Sequence, residues 1–167
     1  MQQRRMQTPR VRFIDFDVVE PKNVGRQLFV AAECCSYKAQ VLANRYNKLF
    51  GLEIEAITEP VAAQHFERYG GSLVIDAVDG HEARQVLHSL RGVCYLSCGN
   101  HRDVFQVIVG NSNDRAQVLH ELGRDDDVLR TLPGAYLLFP QLLEAERQSE
   151  PDVQMLSCSD LSVSGDQ

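Results

Sequence analysis

Short apolar runs and amphipathic helical stripes take turns along roughly the first 120 residues, and that alternation narrows the possible folds more than any other feature of the chain. Val11-Arg12-Phe13-Ile14-Asp15-Phe16-Asp17 reads as a strand ending in acids, followed by a loop over residues 18–35. Ser36 is a candidate N-cap for a helix whose Ala39, Leu42, Ala43 and Tyr46 share one face, with Gly51 as its stop. Leu52, Ile54 and Ala56 alternate with Glu53 and Glu55, which predicts a half-exposed strand. Leu73-Val74-Ile75, ending in Asp76, predicts a buried strand, and Ala83, Val86, Leu87 and Leu90 form a second helical stripe closed by Gly92. Val93 to Ser97 and Val104 to Val109 read as further strands. Asp114 caps a short helix carrying Val118, Leu119 and Leu122, with Gly123 behind it. Strands separated by helices imply an α/β, Rossmann-like fold with a mainly parallel sheet.

The 167 residues suffice for one ordinary domain, and 44% hydrophobic with 24% charged residues is a core-forming composition. The sequence divides into a basic tail over residues 1–10, a domain over 11–143 and an acidic, flexible tail over 144–167. No stretch approaches the roughly 20 apolar residues of a membrane span, and no apolar run follows the basic N-terminus as in a secretory signal. The net charge of −6 opposes a large nucleic-acid surface but permits a local cationic pocket. Five cysteines, two of them adjacent, make a poor disulfide framework, so reduced thiols in a cytoplasm are expected. No CxxC pair occurs and the five histidines share no metal-ligand spacing, so no zinc site is expected. Neither a membrane nor a nucleic acid is an expected partner.

In parallel sheets, ligands bind beyond the carboxyl ends of the strands. Three groups stand there. Asp15 and Asp17 follow the first strand, where an acid accepts hydrogen bonds from ribose hydroxyls. Asp76 and Asp79 follow the buried strand and offer the oxygen ligands that magnesium prefers. Asn23, Arg26, Gln27 and Lys38 lie between them, and cations there neutralise phosphate charge. Each group also has a plainer reading: a strand end and turn for Asp15 and Asp17, a helix cap for Asp79, and solvated surface cations for Arg26 and Lys38.

Taken together, Phe13-Ile14-Asp15-Phe16-Asp17-Val18-Val19-Glu20-Pro21-Lys22-Asn23-Val24-Gly25-Arg26-Gln27 resembles the signature of the ThiF/MoeB/ubiquitin-activating superfamily. In that signature a strand ends in an acid, with Asn and then Arg-Gln downstream. Lys38 stands near the start of the next helix, as the family lysine does, and Asp76-Ala77-Val78-Asp79 matches the family's D-x-x-D segment. Asn23 to Phe29, Cys98-Gly99-Asn100, Gln106 to Gly110 and Leu138 to Leu143 further resemble the ThiF-like proteins of plasmid and mobile-element PRTRC gene systems.

The resemblance implies ATP-dependent adenylation of a carboxylate, such as the C-terminus of a ubiquitin-like or other small protein. It implies nucleotide-binding roles for Asp15, Asp17, Asn23, Arg26, Gln27 and Lys38, with Asp15 at the ribose. It implies catalytic roles for Arg26, Lys38 and Asp79, with Asp79 holding magnesium. Because the family arginine often reaches across a dimer interface, it also implies a homodimer. Cys158 is a candidate thiol acceptor after adenylation, although an incidental cysteine is the simpler reading.

Three departures qualify these expectations. No G-x-G-x-x-G occurs, so the strand and helix that carry it in the family are expected to be absent and the fold incomplete. Gly80 stands where many relatives carry Asn, and the family's C-terminal helices have no counterpart after Leu161. The expectation is therefore a truncated member of an adenylyltransferase lineage, with its activity as an isolated chain in question. The alternative is a degenerate, non-enzymatic protein-binding module. A nicotinamide dehydrogenase is weaker, because it would not explain Asn23, Arg26 and Lys38.

Overall fold

The computed structural model describes residues 9–66, 71–101, 104–124 and 128–144. They fall into two compact units, divided between Pro60 and Val61. The architecture is α/β, with two of the three strand pairs among the described residues parallel, consistent with an incomplete Rossmann-like fold.

In the first unit, β1 (Arg12–Ile14) pairs in parallel with β2 (Glu55–Ile57), and α1 (Lys38–Phe50) connects them. The helical stripe lies where its periodicity predicts: Ala39 and Ala43 are each 1% exposed, and Val19, Phe29 and Ile54 are the unit's other buried apolar residues. Gly51 ends α1 at φ 62°, a left-handed conformation that costs glycine little. The expected Ser36 cap is not used. Tyr37 occupies the cap position without a side-chain bond, and the Lys38 amide donates to the Asp17 carbonyl instead. The expected loop over 18–35 contains two short 3₁₀ turns, Pro21–Asn23 and Ala31–Glu33.

In the second unit, β3 (Leu73–Asp76) pairs in parallel with β4 (Cys94–His101), and β4 pairs antiparallel with β5 (Val104–Gly110). The strand expected to end at Ser97 thus runs on to His101. One face of this sheet packs on α2 (His81–Ser89) and α4 (Ala135–Leu138), burying Val74, Leu87, Leu90, Val93, Tyr95 and Tyr136. The expectation that Leu73-Val74-Ile75 is buried throughout is wrong in detail. Val74 is buried, whereas Leu73 is 59% and Ile75 65% exposed. An unbroken apolar run carries no periodicity, so it cannot reveal that only one face is covered.

Asp114 caps α3 (Arg115–Leu122) as expected, accepting from the Ala116 and Gln117 amides at 2.8 and 3.2 Å. Before that cap, Ser112 bridges Pro133 and brings the chain entering α4 against the end of β5. A side chain at Gly110 would place its Cβ 2.4 Å from the Pro133 carbonyl, so this approach requires glycine.

Candidate functional site

The first unit gathers its polar groups just beyond β1. Asp15 Oδ1 accepts from the Asp17 amide at 2.8 Å and turns the chain sharply. Val18 and Tyr37 then form an antiparallel bridge, and the Lys38 amide donates to the Asp17 carbonyl at 2.8 Å. These backbone bonds set the start of α1 beside the end of β1. Lys38 Nζ consequently lies 2.9 Å from Asp17 Oδ2, with the lysine side chain 17% exposed and the aspartate largely in solvent.

The loop between them is shaped by Asn23, which is 3% exposed. Its Oδ1 accepts from the Glu20 amide at 2.8 Å, its own amide donates to the Glu20 carbonyl, and its carbonyl accepts from the Gln27 amide. An aspartate here would keep the acceptor but bring a charge into the interior. The turn presents Lys22 and Arg26, and Arg26 Nε reaches the Lys22 carbonyl at 3.4 Å. Farther along, Arg45 on α1 grips Glu33 through one nitrogen, at 2.8 and 2.9 Å, and also donates to the Leu28 carbonyl. Hydrogen bonds from Arg45 and from the Val30 amide hold the Glu33 carboxyl below its ordinary pKa.

These elements enclose an open cleft of about 450 Å³. Lys22, Arg26 and Lys38 supply its positive charge, Asp17 and Glu20 its negative charge, and Phe16 and Val18 apolar wall. Asp17, Asn23, Arg26 and Lys38, all singled out in the sequence, converge here. Asp15 and Gln27 do not line the cleft: Asp15 closes the turn behind it, and Gln27 is exposed in the loop. The cations suit the phosphates of a nucleotide, since Arg and Lys recognise phosphate oxygens by charge-assisted bonds.

The second unit has a cleft of about 310 Å³ beyond the end of β3. Asp79, exposed, lines it. Asp76 lines it too but differs in kind, because it is only 6% exposed. Its Oδ2 accepts from Ser97 Oγ at 2.6 Å and its Oδ1 from Tyr136 Oη at 3.0 Å. Burial raises the Asp76 pKa, while the Ser97 and Tyr136 hydroxyls and the Arg84 charge oppose that rise. Burial, together with the neighbouring Asp76, also drives the Tyr136 phenol well above its ordinary range. Arg84 fixes the rim, donating from Nε to the Val78 carbonyl at 3.2 Å and from Nη1 to the Leu142 carbonyl at 3.5 Å.

Asp76 and Asp79, both expected to offer oxygen ligands, therefore differ in kind: one accepts two internal hydrogen bonds and one faces solvent. Ser97, Tyr136 and Arg84 went unnoticed in the sequence. Ser97 was accessible in principle, since aligning β3 with β4 sets it opposite Asp76. Tyr136 lies 60 residues from Asp76 and carries no local signal. Cys158 falls outside the described residues.

The model of the ThiF family matches residues 5–95, a span that includes the first strand, the cationic cleft and the D-x-x-D segment. The chain belongs to the ThiF family. Neither a curated protein nor a solved structure gives a match. For a ThiF-family chain the match supports a relationship to adenylyltransferase-like nucleotide-binding domains, and Asp15 to Lys38 and Asp76 to Asp79 lie within the matched span. Among the described residues no helix is long and apolar enough to cross a membrane. No group of three or more His, Cys, Asp or Glu among them is arranged to hold a metal.

Proposed function

We propose that the chain binds ATP through the cleft of its first unit, as the nucleotide-binding part of a domain that adenylates a carboxylate. The observation that carries this reading is the convergence of Asp17, Asn23, Arg26 and Lys38 on one cleft inside the family-matched span. In this reaction a carboxylate oxygen attacks the α-phosphorus of ATP. The new O–P bond forms as the bond to the bridging oxygen breaks, giving an acyl-adenylate and pyrophosphate. Lys38 and Arg26 would neutralise the phosphate oxygens on which charge builds, and the Asn23 turn would hold the Arg26 backbone in place; Asp15, outside the cleft lining, is the ribose ligand only on the family resemblance. Gln27 would act through that same turn, its amide tied to the Asn23 carbonyl. Asp79, in the second unit, is the magnesium ligand that the family resemblance implies. A carboxyl-terminal glycine of a ubiquitin-like protein fits as substrate class, and the segments that resemble PRTRC-type proteins favour a mobile-element setting. A homodimer and a cytoplasmic location belong to the same reading.

The 167 residues contain no glycine-rich phosphate loop, which would contribute several backbone amides. Charge-assisted hydrogen bonds are worth about 1.5–3 kcal/mol each, so lacking three lowers affinity by about 10³ or more. MgATP should therefore bind this chain more weakly than micromolar. In a titration followed by amide NMR, the resonances of Asp17, Asn23, Arg26 and Lys38 should move together. Arg26→Ala and Lys38→Ala should each remove most of that response with circular dichroism unchanged. Where the glycine loop is restored by a longer chain or a partner, the same changes should lower ATP–pyrophosphate exchange by about 10²–10³. Resonances that stay still at saturating MgATP would leave the non-enzymatic binding module as the better reading.

A further inference from the structure

We propose that Cys34 and Cys35 form a reversible oxidation site, a vicinal dithiol that small disulfides of the glutathione class convert to a disulfide between the two adjacent residues. The proposal starts from an outlier in the backbone. Glu33 to Ser36 make a turn closed by the Ser36 amide, which donates to the Glu33 carbonyl at 3.1 Å. Cys34, at φ −53° and ψ 142°, and Cys35, at φ 70°, match the two central positions of a type II turn. The second of these positions favours glycine, because a β-carbon there crowds the neighbouring backbone. Among the described residues Cys35 is the one non-glycine residue with a positive φ. It is exposed, so packing does not account for a side chain at this position. Such a conformation persists only where the surroundings impose it. Here the Cys35 amide donates to the Val19 carbonyl at 2.9 Å and the Val19 amide to the Ser36 carbonyl at 2.8 Å, while Arg45 holds Glu33. The fold thus keeps a second thiol, next to the half-buried Cys34, in a conformation that a glycine would adopt with less strain.

The chemistry open to adjacent thiols is thiol–disulfide exchange. The thiolate of one cysteine attacks a sulfur of oxidised glutathione, forming a mixed disulfide and releasing one glutathione thiolate. The thiolate of the other then attacks the protein sulfur, the bond to glutathione breaks, and a second glutathione thiolate leaves. The two protons given up by the cysteines end on the two glutathiones. The protein loses two electrons and the glutathione disulfide gains them. Adjacent Cα atoms are about 3.8 Å apart, closer than the roughly 4.4 Å at which ordinary disulfides begin. The closed ring is therefore strained and readily reduced, which suits a reversible modification and not a permanent staple. Closing it redraws the turn, and the change passes to Val19 through the backbone bonds and to Lys38, which follows in the same segment and whose amide donates to the Asp17 carbonyl at 2.8 Å. Asp17 and Lys38 both line the cationic cleft. The thiol chemistry does not rest on the ATP reading; only an effect on nucleotide affinity does.

Treatment of the full chain with oxidised glutathione, followed by tryptic mass mapping and amide NMR, tests this. Cleavage after Arg26 and after Lys38 releases residues 27–38, which hold Cys34 and Cys35 and no other cysteine. In the native chain this peptide should lose two hydrogens and carry no glutathione, and dithiothreitol should restore it. Cys34→Ser and Cys35→Ser should each leave one glutathione attached instead. Cys35→Gly suits the positive φ, so it should keep native circular dichroism and also retain one glutathione. Oxidation should move the Val19 and Lys38 amide resonances and leave those of β3 and β4 in place. A native peptide that keeps its glutathione adducts, that stays reduced, or that is joined to Cys94, Cys98 or Cys158 would overturn the proposal. Resonances of Val19 and Lys38 that stay still on oxidation would overturn the link to the cleft. MgATP titration of the reduced and oxidised chains keeps the two readings apart: a closed ring in a chain that does not respond to MgATP in either form supports the dithiol and removes the ATP reading alone.

Discussion

The two units solve the same problem, holding polar side chains beyond the ends of parallel strands, with opposite physics. The first unit does so at the surface. Its cleft is open, its cations lie beside Asp17 and Glu20, and its loop is pinned by Asn23 and by the Glu33–Arg45 pair. The second does so from inside. Asp76 is withdrawn from solvent and fixed by Ser97 and Tyr136, while helix and sheet close over an apolar cluster. Surface electrostatics leave charge available to a ligand and contribute little stability, because water and salt screen them. A buried hydrogen-bonded carboxyl organises its surroundings but is not free to act on a ligand. On the proposed reading, the ligand-binding burden falls on the first unit and the architectural burden on the second.

The sharpest way to break this contrast is to damage the apolar cluster of the second unit. Leu87 is 2% exposed within it, and Leu87→Ala should cost about 2–5 kcal/mol through lost transfer energy and the cavity left behind. Hydrogen exchange should show β4 and β5 amides losing protection while those of α1 keep theirs. Equal losses in both would mean that the units are one cooperative body, and the contrast would have no thermodynamic meaning.

The next largest effect concerns Asp76. Tyr136→Phe removes one of its two hydroxyl donors and should cost about 1–3 kcal/mol, the penalty for leaving a buried acceptor short of a partner. The pH dependence follows from the direction of the shift. The folded-state pKa of Asp76 is raised, so the folded chain binds this proton more tightly than the unfolded chain. The penalty is absent below the ordinary aspartate pKa, grows as pH rises through the folded pKa, and is fully present above it. Losing the Tyr136 hydroxyl raises that pKa further, so the stability difference between variant and native chain should widen from acid toward neutral pH. Urea unfolding at several pH values measures it. A difference that does not change with pH would mean that the hydroxyl does not stabilise the carboxylate form.

What the sequence disclosed divides along the same line. The surface cleft was legible because its residues are near neighbours in the chain: an acid-ended strand, Asn23, Arg26 and Lys38 occur within 24 positions, from Asp15 to Lys38. The stripe of α1, the Gly51 stop and the Asp114 cap were legible for the same reason, since each is set by residues within a turn or two. Asp76's partners were not, because a hydrogen bond to Tyr136 depends on how α4 docks on the sheet. Nor was the exposed sheet face, since Leu73-Val74-Ile75 reads identically with one face covered or two. The unused Ser36 cap shows tertiary context prevailing: the Asp17 carbonyl accepts from the α1 amide before any side chain is needed.

The smallest expected effect tests the surface half of the contrast. Glu33 accepts from Arg45 and from the Val30 amide and so ties the loop before α1 to the helix. Its folded-state pKa is lowered, chiefly by the hydrogen bond from Arg45. The stability it contributes is therefore complete above the ordinary glutamate pKa, near 4.5, and is lost as pH falls through the lowered folded value. Because the pair lies at the surface, its removal should loosen the segment from Leu28 to Ser36 without unfolding the unit. Glu33→Gln keeps the size and one acceptor oxygen but removes the charge. It should raise amide exchange at Val30, Cys34 and Cys35 at neutral pH and leave the β1–β2 amides unchanged. The native chain should approach the variant's exchange pattern as pH is lowered below the ordinary glutamate range and through the lowered folded value, where the carboxylate is protonated. Raising the salt concentration at neutral pH should act the same way but more weakly, because screening reduces the ionic part of the pair and leaves its hydrogen bonds. If Glu33→Gln instead unfolds the whole first unit, the loop is part of its core, and the picture of a charged surface cleft on a separately stable scaffold fails.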